Sequence, residues 1–452
     1  MKFSVLAACT SNTLLLCALV PAQQLTDRER FLLERIASLE ERLTALEKRI
    51  GVSPVPVVQP VQPMQALQAE SAAATAESAN PWLKDTTINF HFDGYYAWNT
   101  NRPVGRVNLL RAYDVAANNL SINQTGVVVE RTPDVAVGRR WGYRLDLMYG
   151  QATETLQGGA QNEPRPQAFR PVFQAYGTYV APVGRGLNVD FGKWASALGP
   201  EGNYTKDQIN YSRSYFFSFL PFYHTGFRAV YPVNGKLSLG YWLVNGVNQT
   251  EDFNGYKSQL AQAVLKPAGN FTWTINYYNG REQRDLVPSL NTGIPTIPSQ
   301  PGLSIAPVRP ALNGRFHVID TYAFWNPKPE LTLGGEFDYV VNRVQANGPP
   351  QRITGGAAYF KYQFTPNFFL GQRYTRLDDA AGLFSGLPQN LNEVTSTLGF
   401  RPVDGFETRL EYRRDFSNVP FFFERTLGSL SRHQDTFTLG LLWWFGGKTG
   451  GW

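Results

Sequence analysis

Gly405-Phe406-Glu407-Thr408-Arg409-Leu410-Glu411-Tyr412-Arg413-Arg414-Asp415 is the stretch whose reading decides the fold. Phe406, Thr408, Leu410 and Tyr412 fall on one face; Glu407, Arg409, Glu411, Arg413 and Asp415 fall on the other. A repeat of two residues is the period of a strand, not of a helix. One face is apolar and aromatic, and the other carries only charge. The last strand repeats the pattern after Asp435, with Phe437, Leu439, Leu441, Trp443 and Phe445 set against Thr436, Thr438 and Gly440. Strands that are greasy outside, polar inside and rich in terminal aromatics are the signature of a barrel that crosses an outer membrane.

Working outward, the composition agrees. Aromatic residues make up 14% of the 452 and charged residues 17%, the latter below the soluble average of roughly a quarter. Many aromatics with few charges suit membrane girdles. A net charge of +6 is small for this length and no Lys/Arg-rich block occurs, so nucleic acid is not an expected partner. Both cysteines, Cys9 and Cys17, lie in the first 22 residues.

From Thr86 onward about sixteen strand-like runs recur, each of the length a tilted strand needs to cross a bilayer. Their connections alternate between short turns, such as Pro232-Val233-Asn234-Gly235 and Pro402-Val403-Asp404-Gly405, and long loops, such as 196–222 and 281–313. Short periplasmic turns and long outer loops are the barrel pattern. In lipid every backbone donor and acceptor needs a partner, so a sheet spans only when closed. About sixteen strands leave a lumen too wide for side chains to fill.

Ahead of the barrel, residues 1–22 read as a secretory signal peptide: Lys2, a broken apolar run, then Val20-Pro21-Ala22. Residues 23–50 hold Leu25, Leu32, Ile36, Leu39, Leu43, Leu46 and Ile50 at heptad spacing, the pattern of a coiled-coil helix. Self-association follows, with a trimer favoured by the barrel and a dimer as the alternative. Residues 51–85, with Pro54, Pro56, Pro60 and Pro63, cannot bury a core and read as a linker. The expected order is therefore signal peptide 1–22, periplasmic coil 23–50, linker 51–85 and outer-membrane barrel 86–452.

Val189-Asp190-Phe191-Gly192-Lys193, Gly199-Pro200-Glu201-Gly202-Asn203-Tyr204, Asn210-Tyr211-Ser212-Arg213-Ser214 and Pro221-Phe222-Tyr223-His224-Thr225-Gly226, with Tyr241 to Asn248 and the aromatic last strand, carry a further signal. Together they resemble the OmpL-like family of β-barrel porins of Gram-negative bacteria, over roughly residues 85 to 452. The resemblance implies an outer-membrane porin that passes small hydrophilic solutes by diffusion. By similarity to trimeric porins, the third long loop, 196–222, folds inward and narrows the pore. Glu201, Lys206, Asp207 and Arg213 would then meet passing solutes, with Tyr204, Tyr211 and Tyr215 packing the loop to the wall.

Alternation points Arg144, Asp146, Glu336, Asp338, Arg401, Glu407, Arg409, Glu411 and Arg413 into the lumen. Facing charges of opposite sign set up a transverse field that selects charged or dipolar solutes. Neutralisation across strands is the plainer alternative. The excess of Arg and Lys hints at anion preference. No enzyme is expected: His91, His224, His317 and His433 stand in no metal-binding spacing, and no G-x-S-x-G occurs. Gly447-Lys448-Thr449 lacks the earlier glycine of a phosphate loop. No cofactor or metal is called for. Two other classes fit the alternation less well: a soluble secreted β-protein that binds glycans, and a gated, substrate-specific outer-membrane transporter.

Overall fold

The structure is a computed structural model that describes residues 85–157, 163, 166–287, 296–297, 300–304, 306–448 and 451. The expected signal peptide, coil and all of the linker before Asp85 lie outside the described residues.

Sixteen strands close into an antiparallel barrel. They are β1 (Thr87–Asn99), β2 (Leu120–Arg131), β3 (Trp141–Tyr149), β4 (Val172–Ala181), β5 (Leu187–Ala195), β6 (Tyr223–Asn234), β7 (Leu237–Val244) and β8 (Ser258–Ala268). The second half holds β9 (Phe271–Gly280), β10 (Phe316–Lys328), β11 (Leu331–Asn342), β12 (Gln351–Gln363), β13 (Phe368–Asp379), β14 (Gln389–Val403), β15 (Phe406–Ser417) and β16 (His433–Gly446). Each pairs with its sequence neighbour, and β1 closes on β16 from Asn89↔Gly446 to Asn99↔Thr436. No edge is left, so every strand has a ladder on both sides, which a hydrocarbon solvent demands.

The alternation seen in the sequence becomes an inversion of inside and outside. On β15, Glu407, Arg409, Glu411, Arg413 and Asp415 are buried, while Leu410 is 56% exposed. Phe90, Trp98, Trp141, Phe191, Phe227, Phe437, Trp443 and Phe445 are likewise exposed on the outer face. Their rings pair across strands: Phe90 stacks on Phe445 at 5.2 Å, Trp98 on Phe437 at 5.6 Å, and Phe368 on Phe400 at 4.4 Å. In water, exposing such surface would cost about 25 cal/mol per Å²; against lipid it costs nothing.

Seven connections, all short turns except the one over 132–140, gather at one rim and eight mostly longer ones at the other, with both ends of the barrel at the short-turn rim. At the tightest turns the chain reverses within two residues, as at Asp404-Gly405, where Gly405 takes φ +84°, a conformation that favours glycine. The long loops hold elements the alternation did not announce: short helices α1 (Ala152–Gln157), α2 (Pro166–Phe169) and α3 (Tyr215–Phe219), and two small hairpins, Thr296–Ile297 with Gln300–Ser304 and Phe422–Phe423 with Leu430–Ser431.

One expectation needs correcting. The inner face is not ionic along its whole height. Val318, Val340, Ile353, Leu377 and Leu391 share strand parity with Asp320, Asp338, Tyr359, Arg373 and Glu393, so they too point inward, and all five are fully buried. They lie toward the long-loop rim in one cluster with Tyr215, Phe216 and Leu220 of the 196–222 segment. An apolar side chain is stable inside a barrel when a loop brings apolar surface to meet it, and α3 does so.

Candidate functional site

The charged inner face is densest on β13 to β15, where the residue types alternate so that each guanidinium meets a carboxylate. Arg373 donates through Nε and Nη2 to both oxygens of Glu393, each at 2.7 Å. Arg413 pairs with Glu393 at 2.9 Å and Asp415 at 2.8 Å. Arg409 donates to Glu407 Oε1 at 2.6 Å, and Arg401 to Glu407 Oε2 at 2.6 Å. Charges two apart on one strand, with partners on the diagonal of the next, form a continuous ladder. Two-pronged guanidinium pairing holds both partners in one geometry.

Residues 196–222 make their contacts along this face. Glu411 accepts from the backbone N–H groups of Tyr211 at 2.6 Å and Ser212 at 3.0 Å. Arg373 donates to Glu201 Oε1 at 2.7 Å and to the Ser212 carbonyl at 2.8 Å. Arg409 donates to the Asn210 carbonyl at 2.8 Å. Tyr215 donates to Asp415 at 2.8 Å. Toward β1 to β3, Tyr211 donates to Asp93 at 2.6 Å, Thr205 to the same carboxylate at 2.5 Å, and Tyr204 to Asp146. Asp146 is also held by Arg144 at 2.8 Å and Gln174 at 2.5 Å. Toward β9 and β10, the Ala197 carbonyl accepts from Asn276 at 2.9 Å and Tyr322 at 3.3 Å. Two wall glycines make room: a Cβ on Gly440 would stand 2.3 Å from the Tyr211 ring, and one on Gly371 2.8 Å from Ile209. Burial holds the Tyr204, Tyr211 and Tyr215 phenols well above their ordinary pKa, so each stays a donor.

At the short-turn rim a cavity of about 260 Å³ is lined by Lys206, Asp207, Arg401, Asp404 and Lys448 among others. Lys206 pairs with Asp207 at 2.8 Å. Burial and the neighbouring Arg401 and Lys448 charges push its ammonium pKa down, against the pull of Asp207. On β10 and β11, Asp320, Glu336 and Asp338 come together with their carboxylate oxygens within 4.8 Å of one another.

The residues expected to line the lumen therefore occupy different settings. Arg144, Asp146, Glu336, Asp338, Glu407, Arg409, Glu411 and Arg413 are buried, most of them beside the 196–222 segment, while the Arg401 side chain is 41% exposed. Of the loop residues, Asp207 is exposed, Glu201 and Lys206 are half-buried, and Arg213 is buried, with its guanidinium donating to the Gly202, Tyr211 and Asn203 carbonyls. Arg213 thus ties the loop to itself. Sequence reading missed Arg373, Glu393, Asp93 and the two glycines; strand parity on β1 and β13 to β16 could have found them. Of the histidines, His224 lies 3.1 Å from the Ser196 hydroxyl, yet its Nδ1 faces the Gly246 carbonyl where a triad needs a carboxylate. His317 meets Tyr277 at 3.0 Å on the outer face, and His433 lies 3.8 Å from Asp435.

A closed sixteen-stranded barrel with a lipid-compatible exterior and a charged interior defines an outer-membrane channel of the porin class. The chain belongs to the family described as "Putative beta-barrel porin-2, OmpL-like", whose model matches residues 85–445. No curated protein matches it. Among solved structures, the anion-selective porin from Comamonas acidovorans is similar, with a TM-score of 0.50 and 9% identity over 80% of this chain and 99% of that one. The outer membrane channel DcaP of Acinetobacter baumannii has a TM-score of 0.48 and 12% identity, covering 80% of this chain and 96% of its own. Salmonella typhi OmpF has a TM-score of 0.47 and 11% identity over 80% and 97%. At such identities the likeness is one of fold.

Proposed function

We propose that this porin passes small hydrophilic solutes by passive diffusion, without a covalent step, along a lumen narrowed by residues 196–222. The observation that carries the reading is the set of hydrogen bonds tying that segment to charged residues of β1, β3, β13 and β15 and to Thr397 of β14. A segment bonded to walls on both sides of a barrel occupies part of the cross-section. Solutes then pass the half-open charges, and Lys206, Arg401 and Lys448 outnumber Asp207 and Asp404 at the short-turn rim. Positive excess at a constriction favours anions. The heptads of residues 23–50 supply our proposed association element, with a trimer as the expected assembly.

Planar-bilayer recording tests the reading. Wild type should give discrete openings with a salt-gradient reversal potential on the anion side, and a deletion of 203–212 should raise conductance several-fold. A double Lys206→Glu, Lys448→Glu change should move the potential toward cations. Silence from wild type and deletion alike would sink the channel reading; equal conductance would sink the constriction. The apolar belt around Val340, Ile353 and Leu391 favours a second reading, a gated channel for a partly apolar solute. Voltage- or solute-dependent opening would mark that alternative.

A further inference from the structure

Much of the charged inner wall pairs acid with base, but on β10 and β11 three acids meet one another instead. Asp320 on β10 lies directly across from Asp338 on β11, and Glu336 stands two residues before Asp338 on the same face. All three are buried, with relative exposures of 0%, 0% and 8% for Asp320, Asp338 and Glu336. Like charges placed opposite one another on adjacent strands repel, and burial away from water deepens the penalty. Among the described residues, none of the three has an ion pair with a lysine or arginine within 4.0 Å, whereas the carboxylates of Glu393, Glu407 and Asp415 each have one.

Their hydrogen bonding is also divided. Asp320 gives Oδ2 to the Asn276 amide at 2.6 Å and keeps Oδ1 without a partner. Glu336 gives Oε2 to the Tyr359 hydroxyl at 2.6 Å and keeps Oε1 without one. Asp338 is fully buried with both oxygens unpartnered. One oxygen from each of the three side chains thus lies within 4.8 Å of the other two, and two of the side chains are held by a neighbour through a single oxygen. That is how outer groups orient the ligands of a metal. Gly199 lies beside the spot at φ +75°, where a Cβ would come 3.2 Å from Glu336 Oε1.

We propose that Asp320, Glu336 and Asp338 bind a single hard divalent cation of the calcium type on the inner wall, next to Gly199. Oxygen-only donors exclude soft metals. Calcium takes oxygens at about 2.3–2.6 Å in flexible geometry, and one carboxylate oxygen from each of the three lies within 4.8 Å of the others, close enough to share one ion. Magnesium, with strict octahedral demands and a reluctance to shed its waters, suits an irregular all-carboxylate wall site less well. The bound ion cancels two of three negative charges and ties β10 to β11 beside the 196–222 segment. The competing occupant of the same spot is shared protons.

The test uses the full-length barrel in detergent after treatment with a chelator. Terbium luminescence and calorimetric titration with calcium should report one site per chain, with calcium displacing terbium. Calcium should raise by several degrees the temperature at which the folded form is lost on a gel. Asp338→Asn should weaken calcium binding at least tenfold and abolish that rise; Glu336→Gln should do the same, which guards against one variant failing to fold. Calcium binding by wild type that is no greater than in both variants, or stability of the chelated wild type that rises on acidification alone and is indifferent to calcium, would overturn the proposal in favour of protons. Conductance measured in chelator keeps this outcome separate from the channel reading.

Discussion

Two walls of one barrel face the same loop and solve burial in opposite ways. On β13 to β15, Arg373, Arg409 and Arg413 alternate with Glu393, Glu407, Glu411 and Asp415, and the loop adds backbone donors and acceptors to the ladder. On β10 and β11, three carboxylates meet without a guanidinium. The difference teaches that burial of charge is decided pair by pair. A carboxylate inside the ladder is a strut, and removing one such as Glu393 or Glu407 takes an ion pair from a buried guanidinium. A carboxylate in the trio is a burden on the empty wall, and removing it relieves repulsion.

The sharpest way to break that comparison is to neutralise one acid on each wall. Glu393→Gln should destabilise the barrel by about 1–3 kcal/mol, because Arg373 and Arg413 both lose their shared partner in the interior while keeping Glu201 and Asp415. Glu336→Gln, measured in chelator, should be neutral or stabilising by about 1 kcal/mol, since it deletes a like charge and keeps an acceptor for Tyr359. Urea unfolding in lipid vesicles checks both. Two losses of equal size would show that the walls do not differ.

A second substitution sharpens the contrast between faces. Arginine is stable at position 409, buried against Glu407 and the Asn210 carbonyl, yet one residue on, Leu410 points outward. Leu410→Arg should cost about 2–4 kcal/mol if the side chain sits near the bilayer midplane, and less toward the rim. The same vesicle unfolding reads the loss. No loss in vesicles would contradict the assignment of that face to lipid.

The β15 alternation that gives this contrast was open to inspection in the residues, and so were the barrel and its long and short connections. A strand's period is local, and Glu407 to Asp415 declare it without help from the rest of the chain. The site was less legible. Arg373 and Glu393 come from β13 and β14, and only the register Thr395↔Arg373 brings them together. Arg213 looked like a solute contact, yet carbonyls of its own loop surround it. The apolar belt was hidden for a similar reason: parity turns Val340 and Leu391 inward beside Asp338 and Glu393, but only the structure shows the apolar surface of α3 that meets them there. Tertiary contact decides these cases, and no spacing announces it.

The smallest effect lies where the ladder meets another loop. Arg111, in the segment between β1 and β2, bridges Asp114 and Asp415, reaching the latter at 2.6 Å, so it extends the balanced wall outward. Asp114 is fully buried with Oδ1 unpartnered. Burial pushes its carboxyl pKa up to about 6, against the pull of Arg111. Its unfolded value is about 4, so between the two the folded loop binds the proton more tightly. The contribution is therefore full below about 4 and is lost as pH rises through about 6. Hydrogen exchange at the Asn108 and Ala117 amides, which close this loop on the Val115 and Arg106 carbonyls, reads the local opening. After correction for intrinsic rates, exchange should quicken several-fold across that window in wild type and stay flat in Asp114→Asn. A wild-type profile as flat as the variant's would mean that Arg111 fully balances both acids, and that the paired wall extends unbroken into the loop.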